Sequence, residues 1–279
     1  MSKQKHSHNE ASRKFHDRVA SRYDAIYDDD FWDFHDRLTW SHLKPYLPKD
    51  LHAAVLDLGT GTGKWGLKLL KAGYPTTFSD LSNNMLGEVR DKLAAWAAQP
   101  DLASKAARAT VQAADAIDLA CFGDGQFELI TAMGDVVSIC ADPARCLSEM
   151  RRILKPGGMA VFTVDNYFAA LDHFADSGSL EDLASFIKTG KTHWLTKSKD
   201  EQFTVHMFKP KEIEALVEAR GMEVLSQIGK TVIPARKNRR FFEKEGAIDT
   251  LVDLEMRLWK DPTAAARASH LQLAVRRGV

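Results

Sequence analysis

Hydrophobic positions along the chain follow two alternating patterns, which predict a succession of strands and helices. Short apolar runs typical of buried strands are separated by longer stretches with apolar side chains every three or four residues. The predicted strands are 54–58, 76–79, 109–113, 127–132, 158–164, 203–208, 222–228 and 269–276. The predicted core helices are 64–72, 83–98, 142–154 and 210–220. Strands that alternate with helices favour an α/β fold, a parallel sheet with helices on both faces.

Two segments depart from this alternation. Residues 11–47 have aromatic and aliphatic side chains close to one helical face, which predicts a helical cap before the core. Residues 167–202 predict two helices between core strands, and their aromatic content favours an ordered lid over disorder. The expected organisation is a disordered N-terminus (1–10), a helical cap (11–50), a core (51–166), a lid insertion (167–202) and the C-terminal half of the sheet (203–279), which includes helix 247–260.

Composition and charge exclude several classes of protein. The 279 residues are 44% hydrophobic and 27% charged, which is typical of a globular protein. The 38 basic and 38 acidic side chains balance, so no overall field would attract the chain to nucleic acid or to an anionic membrane. Three cysteines without a C-x-x-C pair favour free thiols in a reducing compartment. Without a signal-peptide core or a spanning apolar run, we expect a cytoplasmic monomer or homodimer.

The most informative motif lies between the first predicted strand and the first core helix. Residues 55–63 read Val-Leu-Asp-Leu-Gly-Thr-Gly-Thr-Gly, and the three glycines let the backbone turn tightly and approach a ligand. The spacing differs from the dinucleotide pattern G-x-G-x-x-G, and Asp57 would repel a pyrophosphate. A ligand with a cationic end and a ribose suits this glycine motif better than a dinucleotide does. Asp80 ends the second strand, where its two carboxylate oxygens can accept both hydroxyls of a ribose.

The segment from Asp57 to Gly63 resembles motif I of the class I S-adenosylmethionine-dependent methyltransferases. Two further segments are similar to that family, Met150 to Gly158 before the fifth strand and His206 to Glu212 before the helix that ends at Gly221. The N-terminal helices resemble the caps of its small-molecule members, such as the ubiquinone and menaquinone biosynthesis type. The resemblance covers about 55–228 and implies a Rossmann-like, mostly parallel sheet of seven strands, the last antiparallel, with S-adenosylmethionine as cofactor.

The resemblance also implies which residues contact the cofactor. The expected contacts are Tyr23 at the carboxylate end, Asp57, Gly59, Gly61 and Gly63 around the methionyl part, Asp80 at the ribose with Leu81 beside it, Met85, Asp115 and Ala116 at the adenine, and Ala132 and Met133 near the sulfonium. Some alternatives stay open. Asp118 is the alternative to Asp115, and Met85 and Tyr23 are equally consistent with packing in the core.

Asp135 is the acid best placed near the transferred methyl, because it follows the fourth strand. It could bind the acceptor, act as a base or cap the next helix. His206 is a second candidate base, alongside His173 and His193. Asp135 with residues 165–166 (Asp-Asn) resembles the Mg²⁺ positions of catechol-type O-methyltransferases, but the other motifs of that family are not evident, so we expect no metal.

The absence of two known motifs narrows the class of molecule that accepts the methyl group. The Asp/Asn-Pro-Pro-Tyr/Phe tetrapeptide of nucleic-acid amino methyltransferases and the Pro-Cys dipeptide of cytosine-C5 enzymes are absent, and the basic run 236–240 is short. We therefore expect methyl transfer to an O, N or C atom of a small, partly apolar or aromatic metabolite, with no nucleic-acid or membrane partner. The alternatives are a methyltransferase that acts on RNA or protein, and a non-catalytic binding module with this fold.

Overall fold

A computed structural model describes residues 3–194 and 196–278. Its strands are β1 (Val55–Leu58), β2 (Thr76–Asp80), β3 (Ala109–Ala113), β4 (Phe127–Ala132), β5 (Leu154–Asp165), β6 (Lys191–His193), β7 (Thr204–His206), β8 (Met222–Lys230) and β9 (His270–Arg277). Seven of them form one sheet in the order β3-β2-β1-β4-β5-β9-β8. Strand β9 is antiparallel to both of its neighbours, and the other pairs are parallel. The predicted Rossmann-like sheet of seven mostly parallel strands is confirmed.

Helices surround this sheet, and the described part of the chain also begins with helices. In chain order they are α1 (Lys3–Val19), α2 (Tyr23–Ile26), α3 (Asp30–Leu43), α4 (Lys64–Ala72), α5 (Asn83–Ala97), α6 (Ala103–Ala106), α7 (Val136–Ile139), α8 (Pro143–Ile153), α9 (Tyr167–Ser177), α10 (Leu180–Thr189), α11 (Pro210–Glu218), α12 (Ala247–Leu258) and α13 (Pro262–Ala265). None of the helices in the described part combines the length and the apolar character needed to cross a bilayer.

Successive side chains of the strands point to opposite faces of the sheet, so each face has its own core. Leu56 and Leu58 of β1 belong to the cluster that contains Leu147 of α8. Val55 belongs to a second cluster, with Leu69 of α4. The buried strands therefore carry apolar side chains at nearly every position, as expected for a parallel sheet covered on both faces.

One predicted core strand, 203–208, is wrong. Strand β7 lies outside the seven-stranded sheet and pairs antiparallel with β6 of the insertion. Its apolar residues Phe203 and Val205 are buried against Ala11 and Phe15 of α1 rather than against the main core. An apolar sequence pattern indicates that a strand is buried but not which strand it pairs with, and this explains the error.

The expected disordered N-terminus is also wrong for residues 3–10, which form the first turns of α1. His8 Nε2 lies 2.7 Å from the carbonyl oxygen of Ile139, and Asn9 Nδ2 donates to Asp115 Oδ2 at 2.5 Å. The segment is polar, so composition alone indicated disorder. Polar contacts with distant parts of the chain contribute to holding it in place.

Candidate active site

The strands of the sheet end in a row of polar groups along one edge. This is the edge at which parallel α/β sheets bind their ligands. The row consists of the glycine loop 59–63 after β1, Asp80 at the end of β2, Asp115 after β3, Asp135 after β4, Asp165 at the end of β5, His270 at the start of β9 and Lys230 at the end of β8. A cavity of about 620 Å³ lies along this edge and is lined by residues from every member of the row.

Asp57 lies beneath the glycine loop and holds its shape. Its Oδ2 accepts hydrogen bonds from the Thr60 hydroxyl at 2.5 Å and from the backbone N–H of Gly66 at 2.8 Å. Its Oδ1 accepts from the Thr131 hydroxyl at 2.7 Å. The carboxyl is buried, which raises the pKa of Asp57 to about 6. The structure places Asp57 under the loop and not among the residues that line the cavity.

Gly59 and Gly61 bring the loop backbone to the cavity wall. Both have a positive φ, 63° and 55°, which side chains rarely allow. A Cβ at Gly59 would overlap the Val136 side chain, and one at Gly61 would face the Tyr23 ring at 3.7 Å. Tyr23 thus covers the loop from the cap. Gly63 is not among the lining residues and serves the turn into α4.

Two carboxylates face the cavity beyond the loop. Asp80 accepts hydrogen bonds from the backbone N–H of Gly61 at 2.9 Å and of Ser82 at 2.8 Å, and burial raises its pKa. Each of its oxygens keeps further capacity to accept a ligand hydroxyl. Asp115 accepts from Asn9, and burial raises the pKa of Asp115 too. Leu81, Ala116 and Met133 line the same part of the cavity.

Three other predicted residues are not brought to the cavity. Met85 is fully buried and packs against Val19 and Ala20, and Ala132 is fully buried in the main core. His206 Nε2 lies 2.9 Å from Glu212 Oε1, and the His206 ring stacks on Phe208. This position outside the cavity corrects the prediction that His206 is a catalytic base.

Asp135 stands at the other end of the cavity in a strained conformation. Its φ is 62°, and the backbone N–H groups of Gly134 and Asp135 both donate to the Thr163 hydroxyl, at 3.1 and 3.0 Å. Asp135 Oδ2 lies 3.1 Å from His270 Nδ1. Burial alone would raise the pKa of Asp135, but the adjacent imidazole outweighs burial and holds that pKa well below its usual range.

His270 lies between two carboxylates. Its Nδ1 is 3.1 Å from Asp135 Oδ2 and 3.9 Å from Asp165 Oδ1. Burial works against the charged imidazole, yet these two acids raise the pKa of His270 overall. Burial together with the negative charge of Asp135 raises the pKa of Asp165 to about 7. The cluster can therefore gain or lose a proton near neutral pH.

Lys230 is the last member of the row and lies opposite His270 in the sheet. Its side chain is 2% exposed, its Nζ donates to the Thr39 hydroxyl at 3.0 Å, and burial lowers its pKa to about 8. The next residue, Thr231, has a φ of 61°. In the described ranges, Asp135 and Thr231 are the only non-glycine residues with a positive φ. Strain of this kind concentrates at functional sites.

Sequence reasoning did not single out His270 or Lys230. The sequence feature that could have identified these two residues is their position at the ends of predicted strands. Because β9 is antiparallel, its first residue reaches the edge where the parallel strands end.

A metal could take one ligand atom from each of three residues. The candidate atoms of Asp135, Asp165 and His270 lie within 4.8 Å of one another. Asn166 does not join them, because its Nδ2 donates to the carbonyls of Ala265, Ala266 and Ala268. The catechol-type arrangement suggested by the sequence is therefore not reproduced. That the protein works without a metal stays a prediction.

Aromatic side chains enclose the cavity around this cluster. Tyr27 and Trp32 are in contact, with ring centroids 4.7 Å apart, and both line the cavity. Phe15 of α1 meets Trp194 of the insertion with a centroid distance of 5.4 Å. The cap and the insertion thus close the cavity from two directions.

Comparisons with known proteins find methyltransferases among the proteins similar to this chain. Residues 55–158 match a family described as a methyltransferase domain. The protein YqeM of Bacillus subtilis (strain 168) is 25% identical over 219 residues, which is 68% of this chain and 83% of YqeM. The demethylmenaquinone methyltransferase of Staphylococcus aureus (strain JH9) is 36% identical over 110 residues, 38% of this chain and 41% of that enzyme. A crystal structure of a SAM-dependent methyltransferase from Methanosarcina mazei has 17% identity and a TM-score of 0.60, covering 85% of this chain and 97% of that one.

Proposed function

Because the chain belongs to the class I S-adenosylmethionine-dependent methyltransferases, we propose that it methylates an O, N or C atom of a small, partly apolar or aromatic metabolite. The observation that carries this proposal is the single cavity that joins the glycine loop to an aromatic chamber. Its volume, about 620 Å³, lies in the range typical of small-molecule sites.

The residues at the glycine-loop end fit the cofactor. The loop backbone at Gly59 and Gly61 can come close to the methionyl part, because glycine carries no side chain of its own and both residues line the cavity. The Asp80 carboxylate can accept the two ribose hydroxyls, and Asp115 can accept the adenine amine in place of Asn9. Bound there, S-adenosylmethionine supplies a methyl group that its sulfonium has already activated.

The residues at the other end suit a small acceptor. A positive sulfonium loses its charge as the methyl leaves, so enclosure by apolar side chains favours the reaction. Trp32, Phe174 and Trp194 supply that enclosure, and alignment of the acceptor can contribute roughly 7–11 kcal/mol of the barrier reduction. Asp135 is the predicted catalytic residue at this end, with Ala132 behind it in the core.

The proposal is tested by measuring S-adenosylhomocysteine release when the purified protein receives S-adenosylmethionine with a metabolite extract, with total RNA, or with a protein extract. We expect release with the metabolite extract alone. At limiting S-adenosylmethionine, Asp80→Ala should lower this release, whereas Asp101→Ala, at an exposed position away from the cavity, should not. Release with RNA or protein alone would contradict a small-molecule acceptor.

A further inference from the structure

Three ionisable residues form one rung across neighbouring strands. In the register of the sheet, Asp165 of β5 lies directly opposite His270 of β9, and His270 lies directly opposite Lys230 of β8. Asp135, after the next strand, approaches the same imidazole at 3.1 Å. Four adjacent strands therefore place two acids and one lysine around the His270 ring, along one side of the cavity.

We propose that His270 is the catalytic base and that the acceptor is a phenol, from which His270 removes the hydroxyl proton during methyl transfer. The inference rests on the proposed function and deepens it. Because Nδ1 of His270 faces the two carboxylates, Nε2 is the ring nitrogen left to take the proton. Asp135 and Asp165 act through His270 as positioning residues.

The atoms and charges of this step balance. The O–H bond of the phenol breaks, and its proton goes to His270 Nε2. The oxygen's electron pair forms the new O–CH₃ bond, and the pair of the C–S bond stays on sulfur. The positive charge thus passes from the sulfonium to the imidazole, where Asp135 and Asp165 stabilise it at 3.1 and 3.9 Å from Nδ1.

The groups around His270 act on its pKa in opposite directions. Burial and the charge of Lys230 favour the neutral imidazole, Asp135 and Asp165 favour the imidazolium, and the net pKa is raised. His270 acts as a base in its neutral form, which becomes more abundant as the pH rises. From α3, His35 faces the His270 ring at a centroid distance of 5.6 Å, and the charge of Asp36 acts on Lys230.

The aromatic walls favour a phenol over an aliphatic alcohol. Tyr27, Trp32 and Phe174 line the same cavity as His270 and offer ring faces and edges to an aromatic acceptor. A phenol also has a proton that an imidazole can remove, because the pKa of its hydroxyl is far closer to that of histidine than the pKa of an aliphatic hydroxyl is.

The test compares phenol with 4-nitrophenol, which is far more acidic and ionises without a base. S-adenosylhomocysteine release is measured for the wild-type protein, His270→Gln and His270→Asn. We expect the variants to lose at least about 100-fold in turnover of phenol, the lower end of general-base effects, and far less with 4-nitrophenol. His52→Gln, an exposed histidine, is the matched control and should change neither rate. Calorimetric S-adenosylmethionine binding shows that each variant is folded.

A second readout needs only the wild-type protein. Burial lowers the pKa of His270 and the two acids raise it, and the net pKa lies above its ordinary value, so the neutral imidazole becomes more abundant as the pH rises. We expect turnover of phenol to increase as the pH is raised above neutrality. A flat profile for phenol would overturn the inference.

The remaining outcomes separate the two proposals. Equal losses with both phenols would mean that His270 has a structural role only. No turnover of either phenol, together with release from the metabolite extract, would overturn the phenol acceptor and leave the proposed function standing. No release from the metabolite extract would overturn the proposed function itself.

Discussion

At the scale of single residues, the carboxylates along the sheet edge have different tasks because their hydrogen-bond partners differ. The oxygens of Asp57 are engaged by Thr60, Gly66 and Thr131 beneath the loop, so this acid maintains a shape. Asp80 accepts backbone N–H groups but faces the cavity and can accept a ligand as well. The same side chain is structural at one strand end and ligand-binding at the next.

Replacing Asp80 with alanine should weaken S-adenosylmethionine binding at least about tenfold. The change removes hydrogen bonds to a charged group, each worth about 1.5–3 kcal/mol. The dissociation constant is measured by calorimetry, with Asp101→Ala as the control at an exposed position. An unchanged dissociation constant would remove Asp80 from the ribose site.

Turnover should be the same with and without excess chelator. His270 Nδ1 lies 3.1 Å from Asp135 Oδ2, and the charge of Lys230 acts on both Asp135 and Asp165, so the acids have partners within the protein. The measurement is S-adenosylhomocysteine release in EDTA. Loss of turnover that Mg²⁺ restores would instead make Asp135, Asp165 and His270 metal ligands.

At the scale of elements, the period of the hydrophobic pattern predicts most strands of the sheet, and local motifs predict several residues that line the cavity. Strands β1 to β4 were predicted within a residue of their observed ends, and Gly59, Gly61, Asp80 and Asp115 follow from local motifs there. The acceptor end depends on long-range pairing. His270 reaches the edge only because β9 inserts between β5 and β8, and no local pattern contains that information.

Helix α1 depends on the same kind of long-range contact. Its Arg18 forms two hydrogen bonds of 2.7 Å to Glu201 of the insertion, and Asp17 accepts the Ser82 hydroxyl beside Asp80 at 2.5 Å. Contacts of this kind between distant segments also hold residues 3–10 in place, and the polar sequence of those residues does not predict them.

Deleting residues 1–19 should weaken cofactor binding and strongly lower turnover, because Asp17 would no longer hold Ser82 beside Asp80 and Phe15 would no longer close the chamber. Calorimetry and S-adenosylhomocysteine release measure the two effects. Circular dichroism serves as the control for the sheet, in which α1 takes no part. A truncated protein with normal turnover would show that α1 is not part of the site.

At the scale of the whole molecule, the cap and the insertion meet above one edge of the sheet. Ala11 and Phe15 of α1 pack with Trp194, Phe203 and Val205. Segments far apart in the sequence therefore form one cover over the cavity, while the sheet edge beneath carries the polar groups.

Amide hydrogen exchange should report the closing of this cover. We expect cofactor plus acceptor to protect peptides from residues 11–40 and from the insertion more than cofactor alone, because an ordered acceptor adds contacts to their aromatic side chains. Peptides from β1 and β4 provide the internal control, since they are buried in the sheet. Equal protection with and without acceptor would place the acceptor elsewhere.

The contact of Asn9 with Asp115 also bears on the timing of the catalytic cycle. Asn9 of helix α1 occupies the Asp115 carboxylate that we propose for the adenine, so α1 has to release Asp115 before the nucleoside binds there. The same helix packs against Trp194 of the insertion, which lines the chamber proposed for the acceptor. We therefore expect one movement of α1 to open both ends of the cavity, with a fixed order of binding and slow departure of S-adenosylhomocysteine.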